Sequence, residues 1–216
     1  MTLNYQLVKE NKLKLNFPSD LFIDGNYHKS ISKKSFDNIS PIDGKIINQI
    51  SFAQQDDIDR AADSARKVFE KGHWSNMPPG QRKKILLKFA QLIERDRLEL
   101  SLLDTIDMGK TINDTYNADL PTSIDNIEWY AEIIDKLFDD ISPSSKEYMG
   151  LITKEPIGVV AAIVPWNYPL WMAMWKIAPA LITGNSVILK PAEQSPMSAI
   201  KIGALLAEAG LPEGVF

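Results

Sequence analysis

The sequence predicts an α/β protein whose later part is an open parallel sheet, preceded by short strands and a set of helices. Two observations carry that expectation. The run Ile157-Gly158-Val159-Val160-Ala161-Ala162-Ile163-Val164 has no polar side chain and lies between Pro156 and Pro165, which suits a strand buried on both faces. A turn follows, Pro165-Trp166-Asn167-Tyr168-Pro169, then an apolar stretch from Trp171 to Thr183 and a second apolar run, Ser186-Val187-Ile188-Leu189. Strand, turn, helix and strand is the order of a parallel βαβ unit, and such sheets bind ligands beyond the carboxyl ends of their strands.

In chain order, residues 1–19 read as a loosely packed arm. Leu21 to Tyr27 reads as a strand and turn, with Asp24-Gly25 as the turn signal. Ser35 to Ile47 repeats that pattern around Pro41-Ile42-Asp43-Gly44, and the returning strand runs through Phe52. A small antiparallel β-meander is expected there. Helices come next. After the acidic turn Gln54-Gln55-Asp56-Asp57, Ile58, Ala61, Ala62, Ala65, Val68 and Phe69 form one apolar stripe, ended by Gly72. Pro79 opens a second helix with Ile85, Leu86, Phe89, Leu92 and Ile93 inward. Leu100, Leu103 and Ile106 mark another before Gly109, and Ile124, Ile127, Ala131, Ile134 and Phe138 mark one from Leu120 to Phe138. The charges on these helices, Arg82-Lys83-Lys84 and Glu94-Arg95-Asp96-Arg97, read as solvated surface. These stretches, residues 20–138, read as one scaffold.

Residues 139–156 change character. Ser142-Pro143-Ser144-Ser145 is a loop, and Tyr148 to Lys154 is extended. A hairpin arm that pairs with another subunit's sheet edge fits this stretch, and an ordinary surface hairpin fits it equally well. In residues 157–216, Gly184-Asn185 ends the helix and Ser186 to Leu189 is the second strand. Ser195 reads as the N-cap of a further helix with Pro196 at its first position. Ala199, Ile202, Leu205, Leu206 and Ala209 form its apolar face, Gly210 stops it, and Leu211 to Phe216 leads toward a third strand.

Composition narrows the function classes. The 216 residues are 44% hydrophobic and 24% charged, with a formal net charge of −4. Such a balance gives no electrostatic case for nucleic acid or an anionic membrane. There is no cysteine and there are two histidines, His28 and His73, so disulfides, thiolate zinc sites and a cysteine nucleophile are excluded within these residues. No secretory h-region stands near Met1 and no run approaches the roughly 20 apolar residues of a membrane span. The expected setting is cytoplasmic.

Two strand ends carry polar groups. Asn167 is a primary amide at a turn after an apolar strand. It can donate to an oxygen that gains charge in a transition state, or it can cap the helix or its own turn, the commoner role. Lys190 and Glu193 stand past the second strand. Together they can hold the two hydroxyls of a ribose, and the carboxylate would repel a 2′-phosphate, favouring NAD over NADP. They can equally be a surface ion pair worth at most about 1 kcal/mol. No GxGxxG follows either strand. Trp171-Met172-Ala173-Met174-Trp175 can line an apolar channel or simply belong to the core, with Trp171 and Trp175 on one face.

Pro165-Trp166-Asn167-Tyr168-Pro169-Leu170, Trp175-Lys176, Pro179-Ala180-Leu181, Gly184-Asn185 and Lys190-Pro191-Ala192-Glu193-Gln194-Ser195-Pro196 together resemble the NAD(P)-dependent aldehyde dehydrogenase superfamily. The resemblance extends back through Glu155-Pro156-Ile157-Gly158-Val159, Trp129-Tyr130-Ala131 and Pro41-Ile42-Asp43-Gly44, and covers nearly the whole chain from about Leu21. Asp59-Arg60-Ala61, Gly72-His73-Trp74-Ser75, Ala161 to Val164 and Gly184 to Pro191 look most like the γ-glutamyl-γ-aminobutyraldehyde dehydrogenases of putrescine breakdown. The resemblance implies the N-terminal part of the aldehyde dehydrogenase fold, a Rossmann-like parallel sheet truncated after its second βα unit. It implies that Asn167 is the oxyanion-hole amide. It places Lys190 and Glu193 on the adenosine ribose of NAD, with Ile163, Val164, Pro165 and Trp166 along the cofactor. Tyr168, Met172 and Trp175 fall on the wall of the aldehyde tunnel, and the 139–156 arm on the sheet of a homo-oligomer, a dimer or tetramer. The family's catalytic cysteine, general-base glutamate and later cofactor turn lie beyond Phe216. These residues alone are therefore expected to be inactive, and a non-catalytic fragment that binds nucleotide or a completing partner chain is the alternative.

Overall fold

The computed structural model describes residues 5–216. The first four residues of the expected arm lie outside the described residues. From Tyr5 the chain is helical, α1 spanning Tyr5–Lys12 and packing against the later helix Arg97–Met108.

Two hairpins follow. β1 (Leu21–Ile23) pairs antiparallel with β2 (Asn26–His28), and β3 (Ser35–Ile39) with β4 (Ile46–Ser51). The first turn is the expected Asp24-Gly25, with φ of 53° and 74°, the positive pair that a tight two-residue hairpin demands. The pairs remain separate two-stranded sheets, where the sequence predicted one meander. The segment between them turns away at Lys33, φ 58°, and is fastened to a helix, since the Ile31 N–H donates to Asp57 Oδ1 at 2.8 Å.

Helices α2 (Gln55–Glu70), α3 (Pro79–Arg95) and α4 (Arg97–Met108) stand where the apolar periodicity puts them. Asp57 has a second role, accepting the Gln54 N–H at 3.0 Å at the start of α2. Two expectations fail here. Ile58 is exposed, because the face that α2 turns inward is centred on Ala65 and Val68. Arg82, read as solvated, is buried. Its guanidinium donates through Nε to the Ile182 carbonyl at 2.8 Å and through one Nη to the carbonyls of Ser75, at 3.4 Å, and Met77. A short helix α5 (Ile112–Asp114), a π-helical turn (Thr115–Asp119), α6 (Leu120–Ile133) and a 3₁₀ turn (Ile134–Lys136) complete the helical layer. The expected run to Phe138 stops short. Leu137 is already extended and Phe138 is 78% exposed, since this is where the chain leaves the body for the arm.

The arm is a hairpin of β5 (Asp140–Ser142) and β6 (Gly150–Ile152), held at its base by Lys154 Nζ on Asp140 at 2.9 Å. It presents Ile141, Tyr148, Met149, Leu151 and Ile152 to the outside. The chain then enters the parallel pair, β7 (Val159–Ile163) and β8 (Ser186–Lys190), joined by α7 (Pro169–Ile182) and followed by α8 (Met197–Ala209). The start of a third strand is visible on the far edge of β8, where the Val187 N–H donates to the Val215 carbonyl at 2.7 Å.

β7 was expected to be buried on both faces. Instead Ala162 is buried while Ala161 is exposed and Ile163 is 74% exposed. Helices α2 and α7 pack against the strand pair, and the face bearing Ala161 and Ile163 has no full cover. The core lies between α3, α6, α7 and α8, around Phe89, Ile93, Ile127, Met174 and Ile177.

α7 is buried along most of its length, Leu181 and Ile182 included, so the carbonyls of those last residues cannot turn to water. Arg82 is the clearest case, because its loss leaves the Ile182 carbonyl without that donor inside the protein. Arg82→Met should destabilise the chain by about 3 kcal/mol, measured as a shift in urea midpoint at constant slope. A change below about 0.5 kcal/mol would place the guanidinium in water after all.

Candidate functional site

The site is built at the carboxyl ends of β7 and β8. Parallel pairing sets Ile163 opposite Lys190, and the Val164 N–H donates to the Lys190 carbonyl at 3.2 Å. The two turns that follow the strands are thus brought side by side. One carries Pro165, Trp166 and Asn167, all exposed, and the other carries Lys190 and Glu193. Ser195 stitches them together, its Oγ donating to the Trp166 carbonyl at 3.1 Å.

Ser195 therefore does not cap α8, as its position before Pro196 had suggested. The cap position falls on Pro196, and the Met197 N–H finds its acceptor elsewhere, in Asp107 Oδ2 at 2.8 Å.

Asn167 is the residue with two candidate roles. The N-cap position of α7 is Tyr168, without a side-chain cap bond. Among the described residues the Asn167 amide has no hydrogen-bond partner, so both its N–H groups are free at the exposed turn. Lys190 Nζ is ion-paired with Glu193 Oε1, each side chain about half exposed. That pairing, first of all, holds the Glu193 carboxyl below its usual range. With so much water around it, the pair adds little to stability. It leaves an ammonium and a carboxylate at one strand end, beside the exposed apolar surface of Ile163 and of Trp166.

From the same turn, Tyr168, Met172 and Trp175 descend one face of α7 at intervals of four and three residues. The Tyr168 and Trp171 rings meet edge to face at 5.0 Å and the Trp171 and Trp175 rings at 5.8 Å. Lys110, two residues past the end of α4, lies over the Tyr168 ring at 3.9 Å from its centroid. It is held there by the buried carboxylate of Asp119 at 2.5 Å. A groove over α2, lined by Asp24, Asp56, Asp59, Arg60, Asp63, Ser64 and Lys67, includes none of these residues.

Beneath the two turns lies a layer that sequence reasoning missed. Asp104 and Asp107 of α4 are both buried. Asp107 accepts from Asn38 Nδ2 at 2.7 Å as well as from Met197. Asp104 faces the Ser198 hydroxyl and the Leu170 N–H, yet neither carboxyl oxygen closes a hydrogen bond of good geometry. Burial, ahead of every other influence, pushes both carboxyls up to about 7. A signal was available. Leu100, Leu103, Asp104 and Asp107 fall at i, i+3, i+4 and i+7, so both carboxylates sit on an apolar stripe, where a charge demands a reason.

Residues 27–216 match the profile of the "Aldehyde dehydrogenase family". The chain belongs to the aldehyde dehydrogenase family. Among its relatives, the NADP/NAD-dependent aldehyde dehydrogenase PuuC of Escherichia coli is 44% identical over 207 residues, covering 96% of this chain and 42% of its own length. A solved γ-glutamyl-γ-aminobutyraldehyde dehydrogenase from Burkholderia cenocepacia superimposes with a TM-score of 0.97 at 42% identity, over 99% of this chain and 43% of that one. An indole-3-acetaldehyde dehydrogenase solved in complex with NAD+ gives 0.96 at 45% identity, again over 99% of this chain and 43% of that one. The chain thus spans less than half the length of these family members, and its mixed α/β architecture corresponds to their N-terminal region.

The buried carboxyls carry a pH dependence. A folded-state pKa near 7, against 3.8 for the free group, means the folded protein keeps a proton that the unfolded chain has released. Their contribution to stability therefore falls as pH rises from about 4 to about 7 and is flat beyond. Asp104→Asn, neutral throughout, should remove about half of that fall. The check is the difference in urea midpoint between about pH 4.5 and about pH 8. An unchanged difference would show that Asp104 is ionised in the fold.

Proposed function

We propose that the two strand-end turns are the cofactor and oxyanion side of an aldehyde dehydrogenase site, in a protein that oxidises an aldehyde to a carboxylic acid with NAD. The observation that carries this reading is the Asn167 amide, free of any capping bond, next to the Lys190–Glu193 pair across adjacent parallel strands. A primary amide held on a rigid helix start is a preorganised donor for an oxygen that gains negative charge. When a thiolate adds to the aldehyde carbon, the carbonyl oxygen takes up that charge, and Asn167 donates to it.

The donor set fits NAD. Lys190 and Glu193 offer a cation and a carboxylate to the paired hydroxyls of the adenosine ribose, and Glu193 disfavours a 2′-phosphate. Ile163, Val164, Pro165 and Trp166 supply backbone and apolar contact along the dinucleotide, in a Rossmann-like arrangement. Bound there, NAD supplies the hydride acceptor. Tyr168, Met172 and Trp175 form the apolar wall against which the aldehyde lies.

These 216 residues contain no cysteine, so the thiolate of this reaction comes from a residue outside them, and we assign the base that activates water to residues outside them as well. γ-Glutamyl-γ-aminobutyraldehyde is the substrate we favour. The likeness to PuuC and to the Burkholderia enzyme of that name supports it. Residues 20–138 then serve as scaffold, 157–216 as the cofactor sheet, and the apolar hairpin of 139–156 as the contact through which copies of the full protein assemble in the cytoplasm.

Calorimetric titration of the chain with NAD tests the cradle. Lys190→Ala and Glu193→Ala should each weaken binding by about tenfold, and unchanged affinity would remove the ribose assignment. The chain mixed with NAD and an aldehyde should produce no NADH; turnover would mean that chemistry is supplied from within these residues. In the complete protein, Asn167→Ala should lower kcat by about 10²–10³ at unchanged KM for NAD.

A further inference from the structure

Lys190 and Glu193 sit on a turn whose own sequence does little to stiffen it. Between the end of β8 and the start of α8 the chain makes one internal backbone bond, Ser195 N–H to the Ala192 carbonyl at 3.2 Å. Apart from that bond and the half-exposed Lys190–Glu193 ion pair, what holds it comes from neighbours. Val164 fastens its beginning, through the Lys190 carbonyl, and Ser195 fastens its middle to Trp166. Asp107 fastens its end, accepting the first N–H of α8 from Met197.

That last anchor is unlike the others, because it comes from a different layer of the fold. Asp107 lies on α4 and is 2% exposed. Its other oxygen accepts from Asn38 of β3, which also donates to Asn48 Oδ1 of β4 at 3.2 Å. One carboxyl therefore ties the second hairpin and α4 to the N-terminus of α8. A carboxyl oxygen at a helix start satisfies one of its unpaired N–H groups.

We propose that Asp107 is a positioning residue for the turn that carries Lys190 and Glu193 and, through the Ser195–Trp166 bond, for the turn that carries Asn167. The proposal rests on the cofactor reading of those turns only for its functional consequence; the mechanical claim stands on the hydrogen bonds alone. With Asp107 in place, the end of the turn is clamped from below and Ser195 is presented to Trp166. Without it, the first turn of α8 loses its acceptor, and the segment from Lys190 to Met197 is held at its first two anchors only.

Three variants of the 216-residue chain test this. Asp107→Leu removes both acceptors at similar volume. Asp107→Asn keeps an amide oxygen for the Met197 N–H. Leu100→Ala, on the same helix and equally buried, destabilises the core without touching either turn.

Amide hydrogen exchange is the direct readout. In Asp107→Leu, exchange at Ser195 and Met197 should quicken about tenfold beyond the change seen in Leu100→Ala, and Asp107→Asn should restore most of the protection. NAD titration is the second readout. Asp107→Leu should weaken binding about tenfold, whereas Leu100→Ala and Asp107→Asn stay within about threefold of the parent.

Unchanged local exchange in folded Asp107→Leu, or an equal rise in Leu100→Ala, overturns the proposal. If the parent chain binds no NAD, the cofactor reading fails and the exchange result alone decides the anchor. Should Asp107→Leu not fold, Asp107→Ser, too short to reach both partners, takes its place with the same expected pattern.

Discussion

The arrangement depends on how one buried helix ends. α7 is apolar on most of its circumference and lies inside the core, and of its last four carbonyls those of Leu181 and Ile182 belong to buried residues, away from the water that would ordinarily satisfy them. Leaving such a group unpaired costs about 1–3 kcal/mol. All four are paired here, two by the residues that follow the helix and two with donors from far away in the chain. Thr183 serves the Pro179 carbonyl, Asn185 that of Ala180, Gly184 and Trp74 Nε1 that of Leu181, and Arg82 that of Ile182. The α2–α3 connection, α3 and the entry to β8 are therefore all fastened to one helix end. Asn185 extends the link, because its Oδ1 also accepts the Gly158 N–H at 3.0 Å, which fixes where β7 begins.

With one end of α7 anchored and β7 placed, the other end has little freedom. The strand-to-helix turn must fall where β7 stops, and parallel pairing puts that point opposite Lys190. The proximity of Asn167 to the Lys190–Glu193 turn is thus a consequence of register, and a shift of one residue would turn alternate side chains to the opposite face. Below the turns, α4 supplies the second support. Asp104 and Asp107 face the first turns of α7 and α8, the helices that the two site turns lead into. Burying carboxyls is costly, and two of them in one layer is a cost that packing alone does not explain.

Sequence periodicity showed the fold where one rule acted alone. The Asp24-Gly25 and Asp43-Gly44 turns, the stripes of α3 and α4, and the βαβ order of residues 157–190 follow from local geometry. Gly109, with φ of 73°, ends α4 in the left-handed conformation that glycine supplies without strain. What periodicity could not reach were the residues whose partners lie far away in the chain. Arg82 stands among lysines and looks solvated, and only its link to Ile182, a hundred positions on, buries it. Ser195 has the sequence of an N-cap and spends its hydroxyl on Trp166 instead. Asn167 shows the converse. Its turn was readable at once, but whether its amide was a cap or a free donor depended on three-dimensional placement.

The uncovered face of the sheet gives these internal anchors their importance. Parallel strands are ordinarily packed on both faces, yet Ala161 and Ile163 face outward here, and Ile157, just before the strand, is 85% exposed. A ligand site placed at the rim of such a face receives no support from that side. Its geometry must be set from beneath, by hydrogen bonds that are already closed before anything lies over it. Ser195 to Trp166, Met197 to Asp107 and Val164 to Lys190 meet that requirement, because each joins main chain to a buried or strand-paired group. The polar groups that face outward, the Asn167 amide and the Lys190–Glu193 pair, hold up none of the fold. They are free to change partners, which the proposed role in binding and releasing a ligand requires.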